Sequence, residues 1–268
     1  MNLVDMFPDQ VDDYLEEARG VVLPIGSVEQ HGPALLLGCD GYIASTIAET
    51  AAEHSGLLLL PMFPFSWIGG LRVWPGTIDV RPMVMGEYLL TICLSLIKNG
   101  FTNIALVNCH GGGREMVYSI SQRVFQETGI SVLTMYPTTL RRQFPEIDNA
   151  WTENGIEFDY SFSETSELCG ALLSAGQNDL CEKVIKANSE AFIQYDGYSS
   201  AVEPLYIENI FKMGEVGYDC LPENAHVHPC EHVYPLAGLA ALKCAGVKIG
   251  VTLRGAIKQA KEKSEMAY

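Results

Sequence analysis

Gly20-Val21-Val22-Leu23-Pro24-Ile25-Gly26-Ser27-Val28-Glu29-Gln30-His31 is an apolar run that stops at a glycine and then turns polar. Its first six residues show no alternation of polar and apolar side chains, so they read as a strand buried on both faces. The same pattern returns at Leu57 to Met62, Asn103 to Asn108 and Ile130 to Met135. Between these runs lie helical periods, Tyr42 to Glu53, Met83 to Lys98 and Glu115 to Glu127. Strand and helix alternate, which predicts an α/β fold with a mostly parallel sheet and helices on both faces; an α+β arrangement is the competing architecture.

Further along, Thr138 to Phe162 is polar, aromatic and broken by Pro145, Asn154 and Gly155, which predicts a long excursion over the sheet. Helical signals resume at Glu164 to Ser174 and Asn178 to Lys186, and Tyr195 to His232 is again irregular. A helix over Pro235 to Cys244, a short strand near Val247 to Val251 and a helix from Thr252 to Lys263 are expected to close the chain. With no repeat, low-complexity tract or linker, residues 1–268 read as a single domain.

Composition narrows the partners. At 48% hydrophobic residues the chain can bury a full core. A net charge of -16, from 33 acids against 17 bases, opposes nucleic acid and anionic membranes, because both are held through Lys and Arg. Read from the sequence, no apolar run reaches the roughly 18 residues of a membrane span. Asp5 and Asp9 stand where a signal peptide would be basic, so a cytoplasmic protein with no membrane partner is expected. Eight cysteines are too sparse for a disulfide scaffold, and Cys93, Cys169 and Cys244 sit in apolar helix-like stretches; they read as reduced thiols.

In open α/β sheets, sites form beyond the carboxyl ends of strands. Two segments meet that criterion, the one running to His31 and Cys109-His110-Gly111-Gly112-Gly113. Glu29 and His31 fall on the same side of an extended segment, and Asp40 follows nearby; imidazole with carboxylate suits Zn, Mn or Fe(II). The bland alternative is a pair of ordinary loop polar groups. His110 precedes three glycines that would let N–H groups face a developing oxyanion, and no phosphate-loop fingerprint fits there. Glu164 opens a helical stretch, where a carboxylate also serves as a cap, and Asp159 five residues earlier is either an acid or base or a turn residue. His226, His228 and His232 form a second cluster, a further metal site or, more simply, a loop at a subunit contact or pocket rim. His54, at a helix end, reads as structural. Trp67, Trp74 and Trp151 suit either a pocket wall or packing.

The string from Ser27 to Asp40, the Pro75-Gly76-Thr77 turn, Asn108-Cys109-His110-Gly111-Gly112 and Glu164-Thr165-Ser166 occur in an order that resembles the creatininase (creatinine amidohydrolase) family over roughly residues 18 to 175. The resemblance implies a three-layer α/β/α domain, two divalent metal ions (Zn, Mn or Fe) and a homo-oligomer, often a hexamer. It implies that Glu29 and His110 hold one ion, that His31 holds the other and that Asp40 bridges them, with Glu164 as the remaining carboxylate. Members hydrolyse cyclic amides or formamides, and some act on peptides or on ring ketones of inositol-derived sugars. Three positions depart from the pattern. Creatinine-cleaving enzymes carry a glutamate two residues after the metal histidine, where this chain has Gly112; a histidine usually stands where Asp159 stands; and a threonine usually stands where Cys39 stands.

These readings predict a dinuclear metal-dependent hydrolase that cleaves a C–N bond, other than a peptide bond, in a small amide, lactam or formamide. The ions would activate a bridging water, with Asp159 delivering a proton to the leaving nitrogen. The alternatives are hydrolysis of a ring C–C bond in a keto-inositol on the same centre, or a catalytically degenerate metal-binding or assembly protein.

Overall fold

A computed structural model describes residues 1–157, 160–194 and 230–265. Strand β1 (Gly20–Ile25) pairs in parallel with β2 (Leu58–Leu59) on one side and with β3 (Asn103–Asn108) on the other, and β3 pairs in parallel with β4 (Val132–Met135), giving the order β2-β1-β3-β4. The chain thus leaves β1 for one edge and returns on the far side for β3. Loops leaving β1 and β3 diverge at that point and open a crevice between the strand ends. Register sharpens the effect: Ile25 lies opposite Asn108, so the segments following β1 and β3 emerge level with one another.

Side chains alternate across the sheet into two cores. Val21, Leu23, Ile25, Ile104 and Leu106 face helices α1 (Pro8–Glu17), α3 (Pro82–Lys98) and α4 (Arg114–Thr128). Val22, Ala105 and Val107 face the opposite layer, built chiefly on α2 (Cys39–Ser55), α6 (Glu146–Thr152), α7 (Tyr160–Ser174) and a long C-terminal helix. Both faces of β1 and of the middle of β3 are buried, so Val21 to Ile25 and Ile104 to Val107 are apolar throughout, and helices on both sides complete a three-layer α/β/α architecture. All ladders among the described residues are parallel.

Several expected boundaries shift, each for a local reason. The run from Leu57 to Met62 keeps only Leu58–Leu59 as regular strand, because Pro61 offers no N–H to the ladder; pairing with β1 resumes at Phe63, whose N–H donates to the Pro24 carbonyl. The excursion predicted for Thr138 to Phe162 contains two short helices, α5 (Pro137–Gln143) and α6. Ile147, Ala150 and Trp151 are buried at helical spacing, a stripe too short to stand out among the polar residues around it. Helix α8 (Asn178–Gln194) extends beyond its expected end at Lys186.

The helix, strand and helix expected after Pro235 are one helix, α9 (Pro235–Glu265). Val247, Ile249 and Val251 suggested a strand, but Gly246 and Gly250 lie one turn apart against α2. A Cβ on Gly246 would fall 2.8 Å from the Ile47 carbonyl, and one on Gly250 would fall 2.8 Å from that of Ala51. The two backbones meet so closely that packing overrides β propensity. The most apolar 18-residue window within Pro235–Gln259 has a mean hydropathy of 1.6, so by length and composition this helix could cross a membrane, contrary to the sequence expectation; half of that window is buried inside the fold.

Candidate metal centre

Five side chains from four segments meet at the crevice between β1 and β3. Glu29 and His31 come from the extended loop after β1, Asp40 from the first turn of α2, His110 from the loop after β3, and Glu164 from the first turns of α7. The loop carrying Glu29 and His31 is braced along its length. The Glu29 N–H donates to the Leu37 carbonyl at 2.9 Å, the Ile78 N–H donates to the Val28 carbonyl at 2.9 Å, and the Gln30 N–H donates to Thr77 Oγ1 at 3.1 Å. The Pro75-Gly76-Thr77 turn therefore acts as a clamp on the Glu-x-His segment, a role its spacing alone did not reveal. Pinned this way, Glu29 and His31 both point inward and are buried.

Asp40 occupies the middle of the cluster. One carboxylate oxygen lies 3.3 Å from His31 Nε2 and the other 3.0 Å from His110 Nδ1. Glu29 Oε1 sits 2.8 Å from His110 Nδ1 and 3.8 Å from His31 Nε2, while Glu164 Oε1 sits 3.7 Å from His31 Nε2. Ser27 Oγ reaches both Glu29 and Asp40, at 3.2 and 2.9 Å.

Each imidazole is held by its second nitrogen. His31 Nδ1 lies 3.0 Å from the Glu29 carbonyl, and His110 Nε2 lies 2.8 Å from the Trp67 carbonyl. A carbonyl only accepts, so those nitrogens carry the protons, which leaves His31 Nε2 and His110 Nδ1 facing carboxylates. Lone pair against anion is repulsive unless something positive sits between them. Protons do so in the bare chain: burial alone would lower both imidazoles, but Asp40 and its neighbours outweigh it, raising His31 to about 10 and His110 well above its usual range. Asp40, despite burial, is held far below the ordinary carboxylate range by the two histidines. Burial and the repulsion of Asp40 and Glu29 push Glu164 up to about 7, against the pull of His31. Carboxylate and imidazole donors in this number fit divalent cations, and Glu29, His31 and Asp40 offer ligand atoms within 4.8 Å of one another.

The other expected positions sort as follows. Asp159, His226 and His228 lie outside the described residues. His232 is solvent-exposed, whereas Cys230 beside it is buried, its N–H donating to Asn188 Oδ1 at 3.0 Å. His54 is structural: its Nδ1 lies 2.9 Å from the Thr50 carbonyl in the last turn of α2. Trp151 is core and Trp67 contributes its backbone carbonyl to His110, so neither side chain is needed to account for the centre. The seven cysteines of the described residues are free thiols. No described residue accepts a hydrogen bond from the amide N–H of Gly111, Gly112 or Gly113.

Sequence reasoning missed Ser27, the Trp67 carbonyl and the position of Cys39, whose thiol lies beside His31 and Glu164. Ser27 stands inside the quoted signature and was legible in principle; a backbone carbonyl leaves no trace in residue identity. Gly112 is a packing requirement. A Cβ there would fall 2.6 Å from both His110 Nε2 and the Trp67 carbonyl, so no side chain at this position can reach the centre without breaking the bond that orients His110.

A parallel α/β sheet thus carries paired imidazoles and carboxylates at its switch point, a donor set of the kind that divalent metal ions take. The family model described as creatinine amidohydrolase matches residues 5–166, more than half of the chain, which therefore belongs to the creatininase family. Among curated proteins, the 3-dehydro-scyllo-inosose hydrolase of Thermotoga maritima is 28% identical over 132 residues, covering 46% of this chain and 40% of that protein. The creatinine amidohydrolase of Pseudomonas putida is 25% identical over 95 residues, covering 34% and 36%. The matched part thus spans well under half of either relative. A solved creatininase in a manganese form superposes with a TM-score of 0.67 at 15% identity, over 95% of this chain and 98% of that one. A zinc-zinc form of a creatininase mutant gives 0.69 at 14% identity over 95% and 97%. At these identities the superpositions establish the shared fold.

Proposed function

We propose that this chain is a dinuclear metal-dependent hydrolase that cleaves a C–N bond in a small amide, lactam or formamide. The observation that carries the reading is Asp40, with one oxygen on His31 and the other on His110. A carboxylate so placed would bridge two ions, one held by Glu29 and His110, the other by His31 and Glu164. Two divalent ions at this position would lower the pKa of water between them and polarise a substrate carbonyl. The chain's own residues would do the rest. The Glu29 and Trp67 carbonyls fix the imidazoles, Ser27 orients Glu29 and Asp40, and the N–H groups of Gly111 to Gly113 supply donors for a developing oxyanion. Glu164 keeps 30% of its side chain exposed at the mouth of an otherwise closed cluster. Asp159 is proposed as donor to the leaving nitrogen on sequence grounds alone.

A second reading, hydrolysis of a ring C–C bond in a keto-inositol, is favoured by two observations. The Thermotoga relative is named for such a substrate, and Gly112 leaves no room for the glutamate of creatinine-cleaving enzymes. The test is turnover by the metal-loaded chain against cyclic amides, formamides and a cyclic keto-polyol, with and without chelator. Chelator-sensitive release of amine supports the first reading, ring opening of the keto-polyol supports the second, and turnover indifferent to chelator contradicts both. A homo-oligomer in the cytoplasm belongs to the same proposal. Met83, Val84 and Tyr88, exposed on α3, support self-association, which light scattering checks.

A further inference from the structure

His31 belongs to two sets of donors. One is Glu29, His31 and Asp40; the other is His31, Cys39 and Glu164, whose ligand atoms also lie within 4.8 Å of one another. Cys39 opens α2 directly before Asp40, so one turn of helix delivers both side chains to the same place. Its thiol is fully buried, as is that of Cys93, and a buried thiol is ordinarily a small apolar filler. Both belong to apolar clusters, but Cys39 alone of the two also lies beside an imidazole and a carboxylate.

We propose that Cys39 is a metal ligand, completing with His31, Glu164 and Asp40 a donor set of one nitrogen, one sulfur and two oxygens for the ion on the His31 side. This rests on the dinuclear reading above and adds a ligand to it. On binding, the sulfur lone pair forms the bond to the ion as the thiol proton passes to buffer. A thiolate is a soft donor, and four mixed N, S and O donors suit tetrahedral zinc far better than manganese, which favours oxygen. Among the described residues, no cysteine joins Glu29 and His110 in a comparable group. The two positions therefore differ in kind: the His31 side selects zinc, and the His110 side is less selective.

The test is cobalt(II) titration of the metal-stripped full chain, followed in the near ultraviolet, where thiolate-to-cobalt charge transfer absorbs. The expected result is a band in the wild-type protein and in Cys109→Ser, lost in Cys39→Ser although Cys39→Ser still takes up cobalt. The preference for zinc over manganese at one position should fall by roughly tenfold or more in Cys39→Ser, since even an outer partner of a ligand is worth that much. Bound cobalt with no thiolate band, or a band that survives Cys39→Ser, overturns the assignment and leaves the dinuclear reading standing. Failure of the wild type to bind cobalt overturns both. Zinc-edge X-ray absorption on the wild-type protein asks the same question without a variant: a sulfur neighbour supports Cys39 as ligand, and nitrogen and oxygen neighbours alone refute it.

Discussion

Asp40 and His110 stand seventy positions apart in sequence, yet a carboxylate oxygen of one lies 3.0 Å from Nδ1 of the other. The sheet order creates that contact. Since β1 and β3 are neighbours and end level with each other, α2 and the loop after β3 converge over a single crevice. Removing the shared carboxylate should therefore disturb both halves of the centre at once. Asp40→Ala is expected to lose both ions, measured by elemental analysis, and with them all turnover, while circular dichroism stays near that of the wild type. A variant that keeps two ions per chain refutes the bridging role.

Gly112 tests the orientation of His110. With a Cβ 2.6 Å from both His110 Nε2 and the Trp67 carbonyl, Gly112→Ala must displace one of them. We expect a loss of about 1–3 kcal/mol in chemical denaturation from overpacking. Metal affinity should weaken roughly 10- to 100-fold as the imidazole loses its anchor. Unchanged affinity would show that the Trp67 carbonyl does not set the ring.

The bare centre should make stability fall as pH rises. His31 is raised from 6.5 to about 10, so the folded state holds its proton more tightly than the unfolded chain does. Its contribution is complete below pH 6.5 and fades as pH climbs towards 10. Glu164, raised from 4.5 to about 7, costs stability in the same direction over that lower window. Melting temperatures of chelated protein should drop across these ranges, and metal, which replaces the protons, should reverse the trend. A chelated protein whose melting temperature rises between pH 6.5 and 10 contradicts the assignment.

The contact between α2 and α9 supports the centre from behind. A side chain on Gly250 would strike the Ala51 carbonyl and His54 Cβ, so Gly250→Leu is expected to cost about 1–3 kcal/mol or more by forcing the helices apart. Denaturant midpoints check this. A neutral substitution would mean that α9 does not pack on α2 as described.

What sequence could and could not convey follows the same physics. β1 and β3 fell on their expected residues because burial on both faces leaves a continuous apolar run with clear ends. Glu29, His31, Asp40 and His110 were legible because strand ends at a switch point raise the prior for any polar residue that follows them. The single helix α9 was not legible: its glycines read as breakers, and their purpose, contact with Ile47 and Ala51, lies some two hundred positions away. Nor was the thiol of Cys39 legible as a neighbour of Glu164, since only the fold brings α2 and α7 together.

The central claim is that two cations share Asp40. Anomalous diffraction from crystals of the metal-loaded protein tests it most directly. The account predicts two adjacent peaks, one between Glu29 and His110 and one between His31 and Glu164, with the Asp40 carboxylate between them. A single peak, or peaks away from these side chains, would contradict it.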